Sequence, residues 1–165
     1  MKRVIRSNIW ETNSSSSHSV AVHGERSLTD YYDKKGPEVL EVHLGEYGWS
    51  GDTCDTFLSK LEYALSMVLH TEYPDFSHYD DFIVDQKVLE DLDGYRMIMD
   101  AIRKHFNCES ILICRNNGYY PYGYIDHQSY EDYSSLQDFL DDWNVDIERF
   151  LFDNGVYVLI DNDNH

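Results

Sequence analysis

The sequence predicts one α+β domain over residues 1–165, an antiparallel or mixed β-sheet of about five strands packed against two long and one or two short helices. Three observations predict it. Apolar residues recur at helical spacing in two long windows. Short alternating or wholly apolar runs elsewhere are bounded by Gly, Asn and Asp. A chain of 165 residues, 42% hydrophobic and 15% aromatic, with no internal repeat and no Pro-rich linker, suits a single core.

Residues 2–6 and 18–23 read as short strands, the second alternating from His18 to His23 and ending at Gly24. The segment from Asn8 to Ser17 reads as the loop between them. Residues 39–44 form a third strand, with Leu40, Val42 and Leu44 on one face and Glu41 and His43 on the other. The clearest helix covers 53–70, where Phe57, Leu58, Leu61, Leu65, Val68 and Leu69 share a face and Asp52 or Thr53 caps the start. A second helix covers about 86–106 along Val88, Leu92, Tyr95, Met99, Ile102 and Phe106, weakened locally by Gly94. Ile111–Ile113 is a buried strand, expected to pair through an Asn116-Asn117-Gly118 turn with an edge strand over 120–125 that contains Pro121. Helical pieces near 135–143 and 145–152 precede a closing strand over 156–160, from which Asp161–His165 trails.

Thirteen basic residues face thirty-one acidic ones, a net charge of −18. Such a charge keeps a protein soluble, repels nucleic acid and anionic membranes from most of its surface, and favours encounters with basic partners. Cys54, Cys108 and Cys114 are odd in number and lack CxxC spacing, which argues against a disulfide framework and a four-thiolate zinc site. The N-terminal residues lack the apolar stretch of a signal peptide, and no window has the apolar length of a membrane span. The expected compartment is the cytosol.

Charge is uneven along the chain. Residues 1–26 hold Lys2, Arg3, Arg6 and Arg26 against Glu11 and Glu25, whereas residues 126–165 hold eleven acids against Arg149. The segment Glu11-Thr12-Asn13-Ser14-Ser15-Ser16-Ser17-His18-Ser19 therefore lies where an anion is least repelled. Small polar residues in a tight turn aim several backbone N–H groups at one point, an anion nest. The imidazole of His18 suits proton transfer near neutral pH. A nucleophile, a base and donors for developing negative charge, the needs of phosphoryl or acyl transfer, thus fall within a few positions. The plainer alternative is a flexible serine loop followed by an exposed histidine.

Gly123-Tyr124-Ile125-Asp126-His127-Gln128-Ser129 sets an Asp-His pair beyond a strand end, where scaffolds present functional residues. Asp126 can orient a histidine, and because adjacent strand residues point to opposite faces it is better placed to serve His18 than His127. Two imidazoles at one phosphodiester permit metal-independent RNA cleavage, one deprotonating the ribose 2′-hydroxyl and one protonating the leaving oxygen, each contributing about 10²–10⁴ in rate. A surface turn is the alternative. Asp161-Asn162-Asp163, with His18, His127 and Asp126, offers oxygen-rich ligands for Mg²⁺ or Mn²⁺, but no HExxH or EF-hand spacing supports a metal and no cofactor is expected. Walker A, GxGxxG and GxSxG motifs are absent from the sequence.

The run Arg6-Ser7-Asn8-Ile9-Trp10-Glu11-Thr12-Asn13-Ser14-Ser15-Ser16-Ser17-His18-Ser19 resembles a signature, R-x-N-x-[FW]-E-T-N-S-S-S-[ST]-H-S, of small proteins of phages and mobile elements of Gram-positive bacteria. Gly123–Ser129 and Asp161–Asn164 resemble its later blocks, and Trp10 stands where phenylalanine is commoner. The resemblance implies a type II-A anti-CRISPR protein, of the kind that inactivates Cas9 by truncating its single guide RNA in the host cytosol. On that expectation Arg6, Thr12, Asn13 and Ser14 bind phosphate, and Ser15, Ser16, Ser17 and His18, with His127 and Asp126, carry the chemistry. The partners are Cas9 and its guide RNA. A non-enzymatic acidic inhibitor that mimics nucleic acid in a basic groove is the competing expectation, and a transferase or hydrolase acting on another substrate is a third.

Overall fold

Thr56 starts the central helix. Its side chain accepts the Ser59 N–H at 3.1 Å, while Ser59 Oγ accepts the Thr56 N–H at 3.1 Å, a reciprocal capping box. The helix therefore runs over Phe57–Glu72, later than the expected start at 53, and the expected caps Asp52 and Thr53 belong to a strand instead. Leu61, Tyr63, Ala64, Leu65, Met67, Val68 and Leu69 are all without exposed surface, so this helix is buried nearly all round. Leu58, expected on its apolar face, is exposed.

The computed structural model describes residues 16–22, 38–48, 51–77, 79 and 81–162. The expected strand over 2–6 lies outside them. In chain order the elements are β1 (Ser16–Val22), β2 (Val39–His43), β3 (Glu46–Tyr47), β4 (Asp52–Cys54), α1 (Phe57–Glu72), α2 (Gln86–Asp91), α3 (Asp93–His105), β5 (Ser110–Cys114), β6 (Tyr124–Ile125), α4 (His127–Tyr130), α5 (Leu136–Asp142), α6 (Ile147–Phe152) and β7 (Val156–Asn162). The architecture is α+β, with two longer helices and four short ones among the described residues.

Among the described residues the strands form three small sheets rather than the single sheet expected. In the largest, β7 lies between β1 and β4 and is antiparallel to both. Val156, Val158 and Ile160 of β7 are buried, opposite Val22, Val20 and His18 of β1. This face packs toward α1, which touches α3, α4, α5, α6, β4 and β6. The second sheet pairs β2 with β5 in parallel, and the third pairs β3 with β6 in parallel.

The expected hairpin between the strand at 111–113 and residues 120–125 does not form. Backbone groups of Ile111 are already engaged: Tyr95 Oη accepts its N–H at 3.1 Å, and Gln86 Nε2 donates to its carbonyl at 3.2 Å. The intervening chain closes on itself, with the Asn116 N–H donating to the Pro121 carbonyl at 2.7 Å and Gly123 turning at φ +71°.

The second predicted helix is two helices. Leu92, with φ −76° and ψ 138°, separates α2 from α3. Gly94 is not the break; it is a close approach. A Cβ there would sit 2.5 Å from Glu72 Oε1 and 2.6 Å from Val68 Cγ2. Glu72 ties two helix starts together, accepting the Gly94 N–H at 2.7 Å and the Leu136 N–H at 3.0 Å. Lys60 is buried on α1 and donates from Nζ to the carbonyls of Asp153 at 2.9 Å and Val156 at 3.0 Å, fixing α1 to the start of β7. Burial pushes its ammonium down to about 8.

Candidate functional site

His18 lies in a strand, as expected, but that strand starts earlier, at Ser16. Ser16 and Ser17, expected in a turn, extend β1 and pair with Asn162 and Asp161. In extended chain, successive N–H groups point to opposite sides, so these two serines cannot contribute converging donors to an anion nest. Arg6, Thr12, Asn13, Ser14 and Ser15 lie outside the described residues.

Alternation along β1 puts His18 on the same face as Val20, opposite Ile160. Its ring is partly buried, with Nδ1 2.9 Å from Tyr63 Oη and the ring centroids 5.7 Å apart. Burial pushes the His18 imidazole down to about 4, and the nearby Asp126 carboxylate opposes that shift. Burial also holds the Tyr63 phenol well above its ordinary range, with Cys54, Tyr133 and Tyr47 adding to the effect. The contact at neutral pH is therefore one between a neutral imidazole and a neutral phenol. The plainer alternative of an exposed histidine does not hold: the imidazole is held in the core wall.

Asp126 is buried at the end of β6 and serves as N-cap residue of α4. Its backbone is fixed on both sides: its N–H donates to the Tyr47 carbonyl at 2.8 Å and its carbonyl accepts the Ser129 N–H at 2.8 Å. Gly48 permits this approach, since a Cβ there would lie 2.7 Å from Asp126 Cβ. The chain turns into α4 immediately after Asp126, so strand alternation no longer separates it from its neighbour. Oδ1 lies 3.1 Å from His127 Nδ1, and the same carboxylate acts electrostatically on His18. The sequence offered Asp126 to one histidine or the other; it attends both. His127 is 52% exposed by its side chain, so it is the imidazole open to solvent.

Tyrosines surround this carboxylate. Tyr124 Oη is 3.5 Å from Asp126 Oδ1, and its phenol is pushed up to about 12 by burial and by Asp126. Burial, Glu131 and Asp126 raise the Tyr130 phenol. Ser129 is buried, and its Oγ has no hydrogen-bond partner among the described residues. Tyr63, Tyr124, Tyr130 and Ser129 were not singled out from sequence. Ser129 and Tyr124 were within reach, because both belong to the segment Gly123–Ser129; Tyr63 carries no local signal.

Asp161 pairs with Ser17 and so stands on the sheet face opposite that of His18, which separates it from the expected metal grouping. Asp163 lies outside the described residues. Among the described residues no group of three or more His, Cys, Asp or Glu is arranged to hold a metal ion. No helix among them is long and apolar enough to cross a membrane.

Fold and site together define an α+β protein with an imidazole–phenol–carboxylate cluster at the junction of β1, α1 and α4. Comparison with protein families, curated proteins and solved structures finds no match to this chain.

Proposed function

We propose that this protein cleaves RNA without a metal, by general acid–base catalysis between His18 and His127, and that its substrate is the guide RNA of a type II-A Cas9, making it an anti-CRISPR protein of mobile-element origin. One observation supports the chemistry: a single buried carboxylate, Asp126, is 3.1 Å from His127 and electrostatically coupled to His18. The substrate rests on the resemblance of the Arg6–Ser19 segment alone.

In this reading His18, neutral at physiological pH, accepts the ribose 2′-hydroxyl proton at Nε2 while Nδ1 stays with Tyr63. The 2′-oxygen attacks phosphorus. The 5′-oxygen departs and takes a proton from His127, whose charged form Asp126 compensates. A 2′,3′-cyclic phosphate and a 5′-hydroxyl result.

Incubating the purified chain with guide RNA, with and without Cas9, tests this. Cleavage should end in a cyclic phosphate, survive chelation of divalent metal, and fall by about 10²–10⁴ in His127→Ala. Cleavage at the wild-type rate in either His18→Ala or His127→Ala would remove the mechanism. A second reading draws on the exposed carboxylates Asp138, Asp141 and Asp142 of α5: a binding-only inhibitor occupying a basic groove. It predicts no RNA product, indifference to either histidine variant, and binding that weakens steeply with salt.

A further inference from the structure

Among the described residues, Tyr119 and Tyr79 are the tyrosines most open to solvent, 66% and 52% exposed. They belong to one aromatic ladder. Tyr79 meets Tyr119 edge-on at 6.1 Å, Tyr119 meets Tyr120 edge-on at 4.9 Å, and Tyr120 stacks on Tyr124 at 4.7 Å with 23° between planes. Core packing does not require rings at such exposure, and the turn that carries Tyr119 and Tyr120 is built firmly. Asn116 Nδ2 donates to the Leu44 carbonyl at 2.8 Å, the Gly123 N–H donates to the Tyr120 carbonyl at 3.1 Å, and Tyr122 between the exposed rings is buried. A surface held rigid before contact loses little entropy on binding.

The charge around the ladder selects its ligand. Glu46 is exposed and sits directly beside Tyr124 in the β3–β6 pair. Burial raises the phenols of Tyr120 and Tyr124, and Glu46 at the first and the buried Asp126 at the second add to it. Ring faces are electron-rich, and these rings lie in a negative field on a chain of net charge −18. A phosphate backbone would be repelled there. A guanidinium would stack on a ring face and hydrogen-bond a carboxylate in the same plane, which the more strongly hydrated lysine ammonium does less well.

We propose that the Tyr79–Tyr119–Tyr120–Tyr124 ladder, with Glu46 at its end, is a docking surface for an arginine-rich segment of a partner protein. The ladder meets the imidazole site at Tyr124, whose Oη is 3.5 Å from Asp126 Oδ1, so the variants that test it are placed at Tyr79, Tyr119 and Glu46.

The test is fluorescence anisotropy of the full chain with three labelled probes: a short arginine homopeptide, a lysine homopeptide of equal length, and a single-stranded RNA oligonucleotide. The arginine peptide should bind more tightly than the lysine peptide. Tyr79→Ala with Tyr119→Ala should weaken it about tenfold, and Tyr79→Phe with Tyr119→Phe should retain binding. Glu46→Gln should weaken it severalfold, whereas Asp141→Asn with Asp142→Asn on α5 should have less effect. Circular dichroism confirms that each variant is folded. Equal binding of the two peptides, or loss that follows net charge and not the tyrosines, would overturn the proposal. RNA binding that depends on the same tyrosines would also overturn it.

Discussion

The hydroxyl of Tyr63 lies 2.9 Å from Nδ1 of His18, joining the fully buried middle of α1 to strand β1. The bond does two things at once. It satisfies a phenol that has no access to water, and it fixes which imidazole nitrogen is turned inward. Tyr63→Phe keeps the ring contacts with Tyr47 at 5.2 Å and Phe139 at 5.7 Å but deletes the bond. We expect a loss of about 1–2 kcal/mol with the denaturant slope unchanged, read from urea unfolding.

His18 should make the protein sensitive to mild acid. Its folded-state value near 4 is below the ordinary 6.5, so the unfolded chain binds a proton first as pH falls. The contribution is therefore fully present above pH 6.5 and lost as pH falls toward 4. Partial exposure of the ring limits the loss to at most about 3 kcal/mol. Protonation of the many carboxylates acts in the opposite sense on a chain of −18, so the comparison must be internal. Between pH 6.5 and 4, the wild type should lose stability relative to His18→Gln; parallel curves for the two proteins would show that His18 is not the group responsible.

Gly48 positions Asp126 from across the β3–β6 pair. Its φ of +146° already disfavours a side chain, and a Cβ would meet Asp126 Cβ at 2.7 Å and its backbone nitrogen at 3.3 Å. Gly48→Ala should cost about 1–3 kcal/mol and break the 2.8 Å bond from the Asp126 N–H to the Tyr47 carbonyl. The carboxylate would then shift from His127. A lowered melting temperature with a changed ¹⁵N shift of His127 Nδ1 is the expected pair of results; a lowered melting temperature with an unmoved shift would mean that Gly48 serves stability alone.

What the sequence made legible follows from the range of the interaction. The apolar stripe of α1 repeats within the helix, so its existence could be read, while its start could not be placed until the Thr56–Ser59 capping box separated it from β4. The break at Leu92 has no signal of its own, because leucine is a good helix former. The parallel partners of β2 and β3 lie far along the chain and are set by the helices packed between, so local pattern misassigned β6 to a hairpin. Within the site, the neighbouring Asp126 and His127 were legible as a pair. Ser16 and Ser17 misled, because short polar residues suit a strand as readily as a turn. Tyr63 was hidden among apolar neighbours, and Lys60 could have been noticed as a lone cation among the buried residues of α1.

Gly94 sets helix propensity against packing. In an isolated helix, Gly→Ala would stabilise by about 1 kcal/mol. Here the new methyl would lie 2.6 Å from Val68 Cγ2 and 2.5 Å from Glu72 Oε1. Val68 is fully buried and cannot yield, and Glu72 cannot swing away without releasing the Gly94 and Leu136 N–H groups at the starts of α3 and α5. Overpacking of this kind costs about 1–3 kcal/mol, and two lost helix-start bonds add to it. Gly94→Ala should therefore destabilise the protein, with a reduced urea midpoint. Combining it with Glu72→Ala should cost less than the sum of the two single changes, because the second substitution removes the atoms that the methyl strikes. A Gly94→Ala protein as stable as the wild type would show that α1 and α3 separate without penalty and that Glu72 does not clasp them.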